Sequence, residues 1–281
     1  MKTYLECIPC FMNQALRAGR MATNDEKIIK AVLDETGDLI KNIPMQNTPA
    51  ETGMLVYNIV KKHTGVYDPY AAIKARHIEE AKAIFPELVE IVNRSEDKLL
   101  TAIRIAIAGN VIDLGINKSF DIVSDVKEIL TKEFAVFDYD GFKNQLAKAK
   151  YVLYLADNAG ESVFDKILIQ QLNKPVYYAV RSKPVINDVT KDDAIASGID
   201  QVAEIVDSGS EAPGTILDMC NAGFRKLFDN AGLVISKGQG NYEGLSTCNR
   251  QVFFLLKAKC KVISDHLSVK EGGIVLKEHK I

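Results

Sequence analysis

The stretch Tyr151-Val-Leu-Tyr-Leu-Ala-Asp-Asn-Ala-Gly-Glu161 decides how this chain reads. Its first half, Tyr151 to Leu155, is a β-branched, aliphatic and aromatic run of the kind that forms strands. The run then delivers two hard oxygen donors, Asp157 and Asn158, with Gly160 permitting a tight turn and Glu161 just beyond. In open α/β sheets ligands bind at the carboxyl ends of strands. A carboxylate beside a carboxamide at that end reads as a hard-metal or phosphate site, although Asn-Ala-Gly also makes an ordinary turn.

Working outward, the same pattern recurs at Pro175 to Val180, Val202 to Val206, Leu233 to Lys237 and Phe253 to Lys257, each run followed by a polar or glycine-rich turn. Ile274 to Leu276 offers one more strand. The alternation with helical stretches predicts an α/β fold of parallel strands joined by crossover helices. Before Lys150 the chemistry differs. Apolar residues there recur at helical spacing, as in Ile28, Ile29, Val32 and Leu33, and again in Ile103, Ile107, Val111 and Leu114. Thr48-Pro-Ala-Glu51 has the form of a capping box with proline at the first helical position, and Pro86 is expected to interrupt a helix spanning the 70s to 90s. The reading is a helical domain over 1–148 and an α/β catalytic domain over 149–281.

The chain has 281 residues, 47% apolar and 26% charged, with a formal net charge of −2. Neither sign of charge dominates and no basic stripe carries interleaved aromatics, so nucleic acid is not expected as a partner. No apolar run reaches the roughly 20 residues a membrane span needs, and the first residues lack a signal-peptide core. Neither a membrane nor export is expected, and the cytoplasm is. Five cysteines then read as thiols, metal ligands or buried apolar residues rather than a disulfide framework.

The candidate chemistry gathers after the strands. Asn187 and Asp188 follow the second strand, and Asp157, the Asn158 carbonyl and Asp188 together would supply two charges and three oxygens to a six-coordinate divalent ion. Asn187-Asp188 also suits the cap of a helix beginning near Thr190 or Lys191. The segment Ile205 to Thr215 carries small residues, Ser210 among them, that let amides approach a ligand, and it is expected to open a helix at Gly214 or Thr215. Lys237-Gly238-Gln239-Gly240-Asn241 joins a cation, two glycines and an amide, the ingredients of a phosphate cradle, without the order of a Walker loop. Lys257 interrupts an apolar strand and needs an anionic partner if it faces inward; a surface lysine is the alternative. Cys7-Ile-Pro-Cys10 has metal or redox spacing. With Cys260 as the third thiol it makes a candidate second metal or redox site, whereas Cys220 reads as core.

Taken together, Cys7-Ile-Pro-Cys10, Gly109-Asn110-Val-Ile-Asp113, Asp157-Asn-Ala-Gly-Glu161, Pro184-Val-Ile-Asn-Asp188, the Gly209 to Thr215 loop, Lys237 to Asn241 and Leu255-Leu-Lys257 resemble, in number and order, the landmarks of the damage-control phosphatases. That family was long catalogued as domain of unknown function 89, and the likeness is to its prokaryotic branch with an amino-terminal C-x-x-C. The resemblance runs over essentially the whole chain. It implies a helical domain packed on a three-layer α/β/α domain with a mostly parallel sheet, and a metal-dependent phosphatase acting on sugar phosphates or damaged phosphometabolites. It also implies one divalent ion, Mn, Co, Ni or Mg, held by Asp157, Asn158 and Asp188. Lys257 and the Lys237 to Asn241 loop would then face the phosphate, and Asn110 would close the cleft from the helical domain. Glu161 is assigned to the same substrate site.

In the expected chemistry the ion clamps a phosphate oxygen, a water attacks phosphorus with Asp157 or Asp188 as base, and Lys257 stabilises the charge on the transferring group. An aspartyl-phosphate route is the variant. Two other classes fit the letters: a methyltransferase using S-adenosylmethionine on a similar doubly wound sheet, and a non-catalytic metabolite-binding or redox module centred on Cys7 and Cys10.

Overall fold

The computed structural model describes residues 1–111 and 122–280. Asp113 of the Gly109 to Asp113 landmark and Leu114 of the helical pattern lie outside them. The chain opens with α1 (Cys7–Ala22), α2 (Glu26–Asn42), α3 (Pro49–Thr64), α4 (Ala71–Arg94), α5 (Lys98–Val111) and α6 (Ile122–Thr131). Strands and helices then alternate: β1 (Phe134–Phe137), α7 (Tyr139–Lys148), β2 (Val152–Leu155), α8 (Ser162–Leu172), β3 (Val176–Val180), α9 (Lys191–Ala196), β4 (Glu204–Asp207), α10 (Ala222–Asn230), β5 (Leu233–Lys237), α11 (Gly238–Leu245), β6 (Val252–Lys257), α12 (Lys261–Leu267) and β7 (Ile274–His279).

The strands form one sheet in the order β1-β7-β6-β5-β2-β3-β4, parallel throughout except for the β6–β7 pair. β1 precedes residue 149 and pairs with β7, so the sheet draws on chain from both sides of that position. Both faces are covered, which is why β2 and β5 are buried at every position and read as continuous apolar runs. Strand alternation sends Tyr154, Ile235, Phe253 and Leu255 into a core shared with α5, α7 and α8. It sends Leu153, Leu155, Val234, Phe254 and Leu256 into the opposite core, under α10, α11 and α12. The first three helices carry a core of their own, built on Phe11, Ala15, Val32, Val56 and Val60, which reaches Val185 in the loop after β3.

Local chemistry accounts for most helix ends. Thr48 accepts from the Glu51 amide at 3.2 Å while Glu51 accepts from the Thr48 amide at 2.6 Å, the reciprocal box expected before α3. Pro86 does not interrupt α4, which runs unbroken from Ala71 to Arg94. The missing amide costs about 3 kcal/mol, and the burial of Ala81, Leu88 and Val92 on either side of it offsets that loss. The helix expected at Gly214 or Thr215 is also absent: Gly214 takes a φ of 151°, and the next α-helix begins at Ala222. Gly214 lies outside the helical region of the backbone map, and only a short 3₁₀ turn, Leu217–Met219, forms before α10.

Lys74, buried on α4, ties the helical layer to the sheet. Its Nζ sits 2.9 Å from Asp68 and 2.8 Å from Asp193, the residue that completes the cap of α9. Burial alone would lower its pKa, but the two carboxylates outweigh that and raise it. Lys74→Ala leaves two acids facing each other at low accessibility, so urea denaturation should show a loss of about 3–5 kcal/mol. A loss below about 1 kcal/mol would mean that the ties are carried elsewhere.

Candidate active site

The order of the strands places β3 and β4 on one side of β2 and β5 on the other, so the chain reverses direction across the sheet between β2 and β5. At such a switch point the two neighbouring loops part and leave a crevice. The loop after β2 carries Asp157, Asn158 and Glu161; the loop after β3 carries Asn187 and Asp188. A short antiparallel bridge pairs Asn158 with Asp188. It is closed by the Ala159 amide on the Asn187 carbonyl and the Val189 amide on the Asp157 carbonyl, each at 2.8 Å. Residues 30 positions apart are thereby held side by side. The turn that makes the bridge sets Ile186 at a φ of 45°, a conformation β-branched residues rarely adopt.

Helix α5 brings Asn110 over the acids. Its Nδ2 donates to Asp157 Oδ2 at 2.6 Å and to Glu161 Oε1 at 2.5 Å. Asn158 Nδ2 donates to the same two carboxylates, at 3.2 Å to Asp157 Oδ2 and 2.5 Å to Glu161 Oε1. An ionised carboxylate only accepts, so Glu161 turns both amides with their nitrogens toward itself and their oxygens away. Asn110 Oδ1 is buried with no hydrogen-bond partner among the described residues.

Beneath Glu161 lies a closed network. The Lys237 ammonium, wholly buried, reaches Glu161 at 3.3 Å and Asp165 at 2.5 Å. Asp165 accepts from the Tyr154 and Tyr178 hydroxyls at 2.6 and 2.8 Å. Burial pulls the Lys237 pKa down, but Asp165 and Glu161 more than reverse it. On the other flank Arg181 donates from Nε to Asp188 Oδ2 at 2.7 Å and from Nη2 to Asn241 Oδ1 at 2.9 Å. Asp157 is held well above the usual carboxylate range, by burial first and then by Glu161 and Asp188. Asp188 is pushed to about 6, chiefly by burial, against the pull of Arg181.

Asp157, Glu161 and Asp188 line a cavity of about 360 Å³ together with Gly240, Lys259 and the three thiols Cys7, Cys10 and Cys260. Of the residues expected at the site, Asn110, Asp157, Asn158, Glu161, Asn187, Asp188 and Gly240 share this wall. The others stand back from it. Lys237 is sealed in the network described above. Asn241 is spent on the Ala156 and Lys237 carbonyls and on Arg181 and Thr215. Ser210 closes its own loop by donating to the Gly214 carbonyl at 2.9 Å. Gly238, with a φ of 74°, lies so close to Asp157 that any side chain would overlap the carboxylate.

Lys257 also stands outside the wall. It ends β6 opposite Ile274, shares a strand face with Phe253 and Leu255, and runs beside Gly272. Lys259, two residues on and beyond the strand, is an exposed cation of the cavity wall, and its field lowers the Asp157 pKa; Lys261, also exposed on that wall, is paired with Asp265. The motif Lys257-Ala-Lys259 contains both, and only the point where the strand stops distinguishes them. Arg181 was missed as well; its one signal is an arginine directly after a buried apolar strand. Asn187 and Asp188 are not spent on the cap of α9, because Thr190 and Asp193 form it.

The donors suit a divalent cation. Two acids driven up by burial and by their neighbours, with an orphaned amide oxygen beside them, are what a hard ion would relieve. Among the described residues no three His, Cys, Asp or Glu side chains form a ready metal cage. A site here would count amides, water and substrate among its oxygens.

A family model of the damage-control phosphatase ARMT1-like domain matches residues 3–275. A damage-control phosphatase of Pyrococcus horikoshii is 32% identical over 288 residues, covering 100% of this chain and 99% of its own. One from Archaeoglobus fulgidus is 31% identical and covers 99% of both. The crystal structure of a DUF89 family protein from Pyrococcus horikoshii matches with a TM-score of 0.92 at 32% identity, covering 100% of both chains.

Two outcomes follow from the electrostatics. Because Asp188 binds its proton more tightly in the fold, at about 6 against an ordinary 3.8, the native state holds protons that the unfolded chain releases. The contribution of Asp188, read as the difference in stability between the chelator-treated protein and its Asp188→Asn variant, should therefore fall as pH rises from about 4 to about 6, and a difference that grows across this window would contradict the assignment. Lys237→Ala, which strands Glu161 and Asp165 without their cation, should cost about 3–5 kcal/mol in urea denaturation. A near-neutral result would dissolve the network as described.

Proposed function

The chain belongs to the damage-control phosphatase ARMT1-like family, and from that premise we propose how its cavity hydrolyses a small phosphorylated metabolite. The protein is a phosphatase. Its family is consistent with a divalent metal cofactor. In this reading Asp157, Asn158 and Asp188 hold the cation, drawn from Mn, Co, Ni and Mg. Bound there, it would supply Lewis-acid polarisation of a phosphate oxygen.

The chain's own residues do the rest. Glu161, fixed by Lys237, holds the amides of Asn110 and Asn158 by their nitrogens, so that their oxygens serve the ligand. This orientation, with Asn110 Oδ1 buried and otherwise unanswered, is the observation that carries the reading. Arg181 occupies Asp188 Oδ2, which leaves Oδ1 for the cavity. Asp157 or Asp188 orients or deprotonates the attacking water through an oxygen that the cation does not take. Lys259, rather than Lys257, meets the phosphate and offsets charge on the transferring group. Residues 1–148 provide the cover of the cleft through Asn110, and residues 149–281 provide the acids.

Among the described residues no helix is long and apolar enough to cross a membrane. A cytoplasmic location fits five cysteines that carry no disulfide.

The test is hydrolysis of p-nitrophenyl phosphate before and after chelation, with Mn, Co, Ni or Mg restored singly. Turnover should vanish on chelation, and Asp157→Ala should abolish both metal binding and turnover; a fully active Asp157→Ala protein ends the proposal. Lys259→Ala should lower kcat/KM by about 10²-fold, as loss of one stabilising donor does, while Lys257→Ala stays within about tenfold. The opposite ranking would return the phosphate contact to Lys257.

A further inference from the structure

Cys7 and Cys10 stand one helical turn apart at the start of α1, and both face the cavity that holds the acids. Side chains three apart on a helix have Cβ atoms about 5–6 Å apart, close enough for the backbone span of a disulfide with a modest adjustment. Cys10 is exposed, and its sulfur accepts a hydrogen bond from Gln14 Nε2 at 3.2 Å. Cys7 is half-buried. Cys260, the residue before α12, lies on the same wall, its sulfur 3.6 Å from Gln239 Nε2. Cys220 and Cys248 do not line it. The three wall thiols are not gathered into a ready metal cage, so their shared position points to thiol chemistry.

We propose that Cys10 is a modification site for low-molecular-weight disulfides, that its adduct blocks the phosphatase cavity, and that Cys7 releases it. The Cys10 thiol loses its proton to solvent and its sulfur attacks one sulfur of the disulfide RSSR. The RS–SR bond breaks, a Cys10–S–SR bond forms, and one RS⁻ leaves. The deprotonated Cys7 sulfur then attacks Cys10 Sγ, the mixed disulfide breaks, and the second RS⁻ leaves. The two cysteines are oxidised by two electrons to a Cys7–Cys10 disulfide while RSSR is reduced to two thiols. Burial, outweighing the backbone hydrogen bond from Tyr4, pushes the Cys7 thiol up, which leaves the first attack to Cys10. A cavity of about 360 Å³ is near the lower limit of ligand pockets. An adduct on Cys10 that enters it competes with the substrate for that space.

The blocking half of this proposal rests on the phosphatase reading, and the modification does not. The full chain, treated with glutathione disulfide and analysed by intact mass and peptide mapping, should carry a Cys7–Cys10 disulfide. Cys7→Ser should instead retain one glutathione, on Cys10. With p-nitrophenyl phosphate and metal, glutathionylated Cys7→Ser should lose at least about tenfold in kcat/KM and recover with dithiothreitol, whereas Cys10→Ser should keep its reduced-state rate under the oxidant. An adduct mapped to Cys260 or Cys248, a Cys10→Ser protein inhibited as fully, or an adduct without effect on a working enzyme would each overturn it. If the reduced protein hydrolyses nothing, the phosphatase reading fails while mass alone decides the modification. A failure to modify Cys10 overturns the proposal whatever the rate.

Discussion

A single ammonium group, Lys237, sits at the centre of the molecule with no access to water and with Glu161 and Asp165 as its counter-charges. Burying three charges is costly unless each finds partners, and here every one does: Asp165 takes two tyrosine hydroxyls, and Glu161 takes two amides. The satisfied network holds Glu161 at one place and in one role. Glu161 in turn decides which way Asn110 and Asn158 face. The orientation of the cavity's amide oxygens is thus set by Glu161 on the wall and anchored one layer below it, by Lys237 and Asp165.

The second constraint is topological. Parallel strands send their carboxyl ends to the same edge, and the reversal between β2 and β5 opens that edge where Asp157 leaves β2 and Gly238 leaves β5. The closeness of Gly238 to the Asp157 carboxylate and the bridge from Asn158 to Asp188 are consequences of this packing. Helix α5 completes the site because Asn110 lies on the face that packs toward α8, next to Gly109, whose missing side chain makes room for Phe164. Acids are thereby gathered where burial drives their pKa values upward, a condition that a hard cation or a proton relieves.

Reading the chain alone recovers the elements whose signal is local. β2, β3, β5 and β6 are short, largely buried runs ended by turns, the Thr48 cap is spelled out in four letters, and Asp157, Asn158 and Asp188 stand after strand ends where chemistry collects. It misses β1, whose partner β7 lies about 140 residues away, and it reads Pro86 as a break because the core that carries α4 through it is not visible in the sequence. Lys237 and Asn241 look like ligands for a phosphate by composition, and Lys257 looks like the cation of its motif. In each instance the letters name a suitable group, while burial and strand register decide whom it meets.

Residue order by itself determined the class of fold, the alternation that makes the sheet mostly parallel and the family, because each is carried by periodicity or by motifs a few residues long. Tertiary structure alone decided which carboxylate stays with Arg181, which lysine is entombed and which reaches the cavity, and that the three thiols share the wall of the acids. Most of those pairings join residues far apart in the chain, and the energy of a buried charge depends on the partners that packing brings within about 3 Å, which no local pattern encodes.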